Sequence, residues 1–218
     1  MIMKYIYLLI FFASISINLD AQDEPAYLPG FWGYSYDVSL PMGDSKDFVG
    51  SGLSFRGFTI GGRKMIKKNV SIGGSIGWHV FNDKMEDVET PFDFTLIFED
   101  ESEDDISGSL TGTQFRYINS FPFMVNAHYY SNDPVRSSTT FYGGLSIGAM
   151  AIKNRVEVGV LAIDDTNWHL GIVPEIGIFK RINTVYYINA GLRYNHAFSS
   201  GDVKHSYLNF SLGVFSEI

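Results

Sequence analysis

Residues 168–179, WHLGIVPEIGIF, decide the fold because their two faces differ in chemistry. The even-numbered positions are apolar throughout: Trp168, Leu170, Ile172, Pro174, Ile176 and Ile178. The odd-numbered positions hold His169, Gly171, Val173, Glu175, Gly177 and Phe179. Successive side chains of a β-strand point to opposite sides, so this pattern predicts a two-faced strand. Glycine on the polar face favours a narrow interior over a water-exposed surface. We therefore expect the apolar face to meet lipid and Glu175 to lie in the lumen of a barrel.

The composition of the 218-residue chain favours strands in a single domain. Aromatic residues make up 16% of the chain and there are 22 glycines, a mixture typical of sheets with tight packing. No internal stretch reaches the roughly 18–20 apolar residues of a membrane helix. The net charge of −8 argues against nucleic acid as a partner, because phosphates require Lys and Arg. The absence of cysteine excludes disulfides, a lipid-attached form and a thiolate zinc site.

Residues 1–21 have the pattern of a secretory signal peptide. Lys4 provides a positive start, residues 5–15 form the apolar run, and Ala21 before Gln22 is a suitable cleavage point. An uncleaved membrane anchor is the alternative. Residues 22–30 are then a short periplasmic lead-in, and residues 31–218 form the barrel.

Eight segments along the chain alternate in the same way as residues 168–179. They lie near 31–40, 53–65, 70–81, 110–130, 139–152, 168–179, 184–198 and 206–215. Short turns at 67–69, 131–137 and 181–183 alternate with longer loops at 42–50, 82–109, 153–167 and 199–205. This order is typical of an eight-stranded antiparallel up-and-down transmembrane β-barrel, all-β, with both termini in the periplasm. Ten strands is the alternative count, with FDFTLIF (92–98) and RVEVGVLAI (155–163) as additional strands.

Two irregularities interrupt the alternation. The phase slips near Arg56 and Gly57, which predicts a β-bulge there. Pro122 cannot donate a ladder hydrogen bond, so it predicts a weak point in the fourth strand.

The signal peptide, the eight segments and the last strand SYLNFSLGVF (206–215) resemble the small outer-membrane β-barrel proteins of diderm bacteria. This broad family includes the OmpX, OmpW and OmpA barrels. SFRGFTIGGR (54–63), SIGGSIGWHVF (71–81) and VPEIGIFKR (173–181) share its strand texture. The resemblance implies a bacterial outer-membrane location, contact with outer-membrane lipids and lipopolysaccharide, a monomer, and insertion by the barrel-assembly machinery. Family members usually end on an aromatic residue, whereas here Phe215 is followed by Ser216, Glu217 and Ile218.

The inferred lumen holds a set of polar and charged side chains. They are Asp37, Arg56, His79, Arg116, Asn126, His128, His169, Glu175, Arg193 and Asn195. An eight-stranded barrel is just wide enough for side chains to fill it, and charges removed from water must pair. We expect a salt-bridged plug in which Glu175 pairs with Arg193 and Asp37 with Arg56, with Arg116 and His128 completing the network. A water-filled channel is the alternative.

Three roles follow from these features. The first is a structural or adhesive role through the outer loops, with residues 82–109 as the binding site for an extracellular ligand. The second is a narrow channel for small solutes, which the OmpW-like members imply. The third is a lipid A-modifying enzyme, which needs Ser, His and a carboxylate converging near the outer rim. No motif links His79 or His196 to a nucleophile, so we predict a non-catalytic protein without a cofactor.

The longest connection, residues 82–109, holds 11 of the 24 acidic residues. Glu99, Asp100, Glu101, Glu103, Asp104 and Asp105 are candidates for binding Ca²⁺ or Mg²⁺, which prefer oxygen ligands. The run lacks the ligand spacing and the glycine of an EF-hand loop. We therefore predict a solvated loop and no metal site.

Aromatic residues near strand ends predict girdles at the membrane interfaces. They are Trp32, Trp78, Trp168, Tyr129, Tyr130 and Tyr186. In the competing interpretation they are core residues of a secreted lipocalin-like barrel, whose apolar face points inward towards a ligand.

Overall fold

The computed structural model describes residues 28–50, 52–97, 103–159, 161–198 and 204–218. The predicted signal peptide and residues 22–27 of the predicted lead-in lie outside the described residues. That division of the chain stays a prediction.

Eight antiparallel strands close into a barrel, and one short helix follows the first strand. The elements are β1 (Gly30–Met42), α1 (Asp44–Val49), β2 (Gly57–Lys67), β3 (Val70–Ile97), β4 (Glu103–Tyr130), β5 (Thr139–Val158), β6 (Leu161–Arg181), β7 (Tyr186–Ala197) and β8 (His205–Glu217). Each strand pairs with the next along the chain, and β8 pairs with β1. The predicted up-and-down barrel is therefore confirmed. The ten-strand alternative is wrong, because residues 92–97 belong to β3 and the segment near residue 160 extends β5 and β6.

The apolar face of β6 points out of the barrel. Trp168, Leu170 and Ile176 are 59–63% exposed, whereas Glu175 and Phe179 are buried. The same alternation runs along the other strands, and Leu212 of β8 is exposed on the outside. A lipocalin-like carrier needs these apolar side chains inside, so that interpretation is wrong. Within the part of the chain that the structure describes, no helix is long and apolar enough to cross a membrane.

The predicted aromatic girdle residues face outward with one exception. Trp32, Trp78, Trp168, Tyr129 and Tyr186 are all exposed. Tyr130 is fully buried inside the barrel, so its assignment to the girdle is wrong. The reason is the two-residue period of a strand: Tyr129 and Tyr130 are neighbours and must point to opposite sides.

The strand irregularities are only partly where the sequence predicts them. Pairing between β3 and β4 is interrupted opposite Pro122, between the Ile76–Phe123 and His79–Ser120 partners. The predicted bulge at Arg56 is wrong, because β2 begins only at Gly57 and its register shift lies between Met65 and Lys67.

A row of outward aromatic residues contains Trp78, Phe121 and Trp168. On the side of this row away from the short turns, β3, β4, β5 and β6 continue well beyond it. We call residues 82–97, 103–117, 153–158 and 161–167 the projecting sheet. β3 and β4 have 28 residues each, whereas a membrane strand needs about 9–11. From Trp78 to Ile97, β3 covers about 60 Å of strand at about 3.3 Å per residue.

Candidate functional site

Glu175 and Arg193 lie at the centre of the lumen. Their Cα atoms are register partners on β6 and β7, and Arg193 Nε donates a hydrogen bond to Glu175 Oε2 at 3.0 Å. The other carboxylate oxygen lies 3.2 Å from His128 Nε2 of β4. All three side chains are buried. One oxygen of this buried carboxylate thus accepts a hydrogen bond from a guanidinium, which compensates the charge, and the other lies beside an imidazole.

Asp37 of β1 is the second buried carboxylate. Its Oδ2 accepts hydrogen bonds from the Thr59 hydroxyl at 2.5 Å and from His79 Nε2 at 2.9 Å. Arg193 Nη1 lies 3.9 Å from Asp37 Oδ1, so the same guanidinium stands between both acids. Gly57 makes the approach of β2 possible, because a Cβ there would lie 2.7 Å from the Asp37 carbonyl oxygen.

Arg56 does not belong to the charged centre of the lumen. The buried arginine that β2 contributes to the lumen is Arg63. Arg56 precedes β2 and is exposed, so the predicted Asp37–Arg56 pair is wrong. Arg63 is buried and donates a hydrogen bond from Nη1 to the Tyr130 hydroxyl at 3.0 Å. Its guanidinium also lies 4.7 Å from the centroid of the Phe215 ring, a cation–π distance. The signal for Arg63 was present in the sequence: outward Phe58 and Ile60 set a phase that points residue 63 inward.

The remaining predicted lumen residues are divided between the centre and the outer rim. Asn126 and Asn195 are buried on the inner face. Arg116 lies at the rim, where it donates hydrogen bonds to the Gln114 side chain and to the Phe48 carbonyl oxygen at 2.6 and 3.4 Å. His169 is also at the rim, and its ring centroid is 5.5 Å from that of His205. Neither rim residue reaches the charged centre.

An aromatic floor closes the barrel below the charged centre, at the end with the short turns, which the sequence predicts to be periplasmic. Its buried residues are Phe31, Met65, Tyr130, Tyr142, Phe179, Tyr187 and Phe215. Phe31 contacts Phe179 and Tyr187 edge-on at 5.3 and 5.0 Å, and Phe179 stacks on Tyr187 at 4.9 Å. These residues come from strand ends beside the short turns, which is why one layer collects so many rings.

An apolar roof closes the outer end, and α1 is part of it. Its buried residues are Val49, Phe81, Ile118, Met124, Met150, Ile152, Val173, Ala197 and Tyr207. Ser45 of α1 anchors the helix to β8: its hydroxyl lies 3.1 Å from His205 Nδ1 and accepts a hydrogen bond from the Ser206 amide at 3.3 Å. Gly50 ends α1 with φ +71°, a conformation that favours glycine.

The space left between floor and roof is small. The central cavity measures about 40 Å³ and is lined by the charged residues described above, among them Arg63, His79, Glu175 and Arg193. Such a volume admits about one or two water molecules. The described side chains thus fill the lumen in three layers.

The histidines considered for catalysis lie apart. His79 is buried in the lumen, between Asp37 and Tyr207. His196 is on the outer face, where its ring stacks on Tyr194 and meets the Phe198 ring edge-on. The Ser45–His205 contact is a hydroxyl–imidazole pair, but Ser45 is only 1% exposed and holds α1 in place. None of these contacts assembles an accessible nucleophile and base.

Only half of the six acidic candidates fall on described residues. Glu99, Asp100 and Glu101 lie outside the described residues, whereas Glu103, Asp104 and Asp105 are the first three residues of β4 and pair with Ile97, Leu96 and Thr95 of β3. Among the described residues, no group of three or more His, Cys, Asp or Glu side chains is arranged to hold a metal ion.

The outer part of β5 and β6 carries an exposed ion-pair cluster. Lys153 Nζ lies 2.8 Å from Asp164 Oδ2, and Arg155 Nε lies 2.6 Å from Glu157 Oε1 and 3.6 Å from Asp164 Oδ1. The hydrogen bond from Lys153 lowers the pKa of Asp164 below its usual range. This cluster lies above Trp168 and therefore outside the aromatic row.

The projecting sheet has two free edges among the described strands. β2 pairs with β3 as far as His79, and the Val80 amide still donates to the Arg56 carbonyl oxygen at 2.9 Å. Beyond Val80, no described strand pairs with β3 on that side. β7 pairs with β6 only as far as Gly171, which leaves residues 161–169 of β6 without a second strand. Unpaired backbone amides and carbonyls along an edge can accept another strand.

No family model and no curated protein matches this sequence. Solved structures of small outer-membrane barrels do match. Neisserial surface protein A (NspA) is 13% identical with a TM-score of 0.50, covering 88% of this chain and 97% of that one. Ail, the attachment invasion locus protein of Yersinia pestis, is 12% identical with a TM-score of 0.49 and the same coverages. OprG from Pseudomonas aeruginosa is 12% identical with a TM-score of 0.40, covering 88% and 94%.

These likenesses concern the fold, because identities this low carry no information about a ligand or a role. The chain has the fold of the small outer-membrane β-barrels, as the sequence predicts. The outward apolar face agrees with the predicted location in the bacterial outer membrane.

Proposed function

We propose that this chain is a non-conducting outer-membrane barrel that presents its projecting sheet to a partner outside the cell. The observation that carries the proposal is the length of β3 and β4, which is more than twice the length that a membrane strand needs. Most of this hairpin therefore stands in the external medium. A barrel whose role was confined to the membrane would not need a hairpin of this length.

The filled lumen supports a role without transport. The charged centre lies between an aromatic floor and an apolar roof, and only about 40 Å³ remains between them. A hydrated ion or solute would have to displace all three layers. We therefore infer that the barrel is a monomeric anchor for the sheet. Its insertion by the barrel-assembly machinery stays a prediction from the resemblance.

The edges and the charge of the sheet define the partner. An extended segment can add to the free edge of β3 or β6 through main-chain hydrogen bonds. Residues 82–109 hold eleven acidic residues and one basic residue, Lys84. This charge favours a partner with basic groups and predicts binding that weakens as salt screens the attraction.

A shortened hairpin tests the proposal. Met85 and Gln114 are register partners, so replacing residues 86–113 with Asn-Gly closes the hairpin with a two-residue turn and leaves the barrel intact. Cells displaying the full chain should adhere to a polylysine surface more than cells displaying the shortened variant, and the difference should fall with salt. A polyglutamate surface is the control. Equal adherence of the two cell populations to polylysine would refute the proposal.

The other two roles give different results. Steady single-channel conductance of the folded chain in planar bilayers would favour a narrow channel for small solutes. Release of fatty acid from lipid A by the folded chain would favour an enzyme. We expect neither.

A further inference from the structure

A shallow groove of about 600 Å³, open on the lipid side, lies on the outside of the barrel across β1, β2, β3 and β4. Its floor is formed by Gly62 and Gly74, whose Cα atoms are register partners on β2 and β3. Its walls are apolar: Trp32, Ile60, Ile76, Phe123 and Val125. All five wall residues are exposed on the outer face.

The packing of the barrel does not itself require the glycine at the centre of this floor. At inward-facing Gly73, a Cβ would lie 2.0 Å from a backbone oxygen, so glycine is needed there. At Gly62 the nearest heavy atom to a Cβ would be the Phe31 carbonyl oxygen at 3.5 Å, an ordinary contact. The missing side chain therefore creates space on the lipid side alone. Because the surrounding face is apolar, the occupant must be apolar and must lie in the membrane.

A basic residue marks one end of the groove. Lys64 points to the same face as Gly62, two residues and about 7 Å nearer the periplasmic turn. It is exposed and has no acidic partner among the described residues. Lys67 and Lys68 follow at the turn. An ammonium at the interface, below an apolar groove, complements a lipid phosphate.

We propose that this groove binds one phospholipid of the periplasmic leaflet. An acyl chain lies over Gly62 and Gly74 between Trp32 and Val125, and the phosphate contacts Lys64. Lys64 lies on the side of the periplasmic turn, so its partner is a lipid of the periplasmic leaflet. That leaflet contains phospholipid, whereas lipopolysaccharide occupies the outer leaflet. This inference depends on the barrel's orientation in the membrane and is independent of the role of the projecting sheet.

Two leucine substitutions test the groove. Gly62→Leu fills it, whereas Gly143→Leu places the same side chain on the outer face elsewhere. The control is well matched, because a Cβ at Gly143 would meet nothing nearer than the Glu175 carbonyl oxygen at 4.0 Å. The probe is phosphatidylglycerol added to the folded full chain in detergent, with bound lipid counted by native mass spectrometry. The unchanged chain and Gly143→Leu should each retain one lipid, and Gly62→Leu should lower the affinity by about tenfold.

Lys64→Gln tests the headgroup contact and should weaken retention while leaving the groove open. A fluorescence measurement gives an independent result in bilayers. With Trp78→Phe and Trp168→Phe, Trp32 is the one remaining tryptophan of the three in the sequence. Brominated phosphatidylglycerol should quench it, and Gly62→Leu should reduce that quenching. Equal lipid retention by all variants would overturn the proposal. A dimer that Gly62→Leu abolishes would also overturn it, in favour of a second copy of the chain as the occupant.

Discussion

Arg193 Nε donates a hydrogen bond to Glu175 Oε2 across 3.0 Å, at a depth of the barrel where Glu175 is 7% exposed and Arg193 is 9% exposed. The same guanidinium lies 3.9 Å from Asp37 Oδ1, so one arginine stands between two carboxylates. His128 and His79 contact the outer sides of those carboxylates at 3.2 and 2.9 Å. The stability of the barrel therefore depends on groups that are costly to leave unpaired.

Removing one partner of the central pair should destabilise the barrel. We expect Glu175→Ala to lower the free energy of unfolding by about 3–5 kcal/mol, because it leaves a guanidinium buried without its main partner. The measurement is the unfolding midpoint in urea, in detergent or lipid vesicles. Asp165→Ala, at an exposed position, is the control and should change the free energy by no more than about 0.5 kcal/mol. An unaltered midpoint for Glu175→Ala would count against the charged plug.

Arg63 of β2 and Arg56, which precedes that strand, should differ sharply in their effect on stability. Arg63→Ala removes a hydrogen bond to Tyr130 and a cation over the Phe215 ring, and it leaves a cavity in the floor. We expect a loss of about 2–4 kcal/mol. Arg56→Ala should stay within about 0.5 kcal/mol, because Arg56 is exposed. The same urea titration compares them, and equal effects of the two substitutions would show that Arg63 is not packed as described.

Helix α1 should leave the roof when its buried residue is charged. Val49 is 3% exposed within the apolar roof, and aspartate there would have no partner. We expect Val49→Asp to release the helix, so that proteinase K cleaves between β1 and β2 in intact cells. Lys46→Asp changes an exposed position of the same helix and should leave this loop resistant. Resistance in both variants would mean that the roof does not depend on α1.

The exposed cluster on β5 and β6 gives a prediction about pH. The hydrogen bond from Lys153 holds the pKa of Asp164 below its ordinary value, so the folded state favours the charged carboxylate. Its contribution is present above the unfolded pKa of about 3.9 and is lost as the pH falls through the lower folded pKa. NMR titration of Asp164 should show that depressed pKa, and Lys153→Ala should raise it towards about 3.9. An unchanged pKa in Lys153→Ala would contradict the pairing.

Alternation was sufficient to predict the number and order of the strands and the partner of Glu175. The predicted loops at 82–109 and 153–167 are wrong in extent, because residues 82–97, 103–109, 153–158 and 161–167 belong to β3, β4, β5 and β6. The period of two fixes which side chains of β6 and β7 face inward, and neighbouring strands then bring Glu175 and Arg193 together.

Alternation gave the wrong side for Arg56, because β2 begins only at Gly57. Residues before that point do not alternate between the two faces, so the inward assignment of Arg56 had no basis. The prediction failed at Tyr130 because a girdle was assigned from nearness to a strand end without regard to the side that the residue faces.

Other features depend on contacts that no local pattern contains. Residues 44–49 look like part of a turn in the sequence, and they form a helix against the roof because Val49 and Ser45 find partners on distant strands. The extension of β3 through residues 92–97 depends likewise on pairing with residues 103–108. A prediction made from one segment at a time cannot identify the distant strands that α1 packs against or the residues of β4 that pair with the end of β3.

The central claim is that the even-numbered face of residues 168–179 meets hydrocarbon. Because the chain has no cysteine, single-cysteine variants at positions 169, 170, 172, 173, 174, 176, 178 and 179 can each carry a nitroxide label. Gly171 and Gly177 are left out because a Cβ there would lie 2.8 and 2.6 Å from neighbouring atoms, and Glu175 is left out because its pair stabilises the barrel. The measurement is the collision of each label with oxygen in a lipid bilayer. We predict high oxygen accessibility at positions 170, 172, 174, 176 and 178, and low accessibility at 169, 173 and 179. High accessibility at these odd positions, or no alternation at all, would contradict the account.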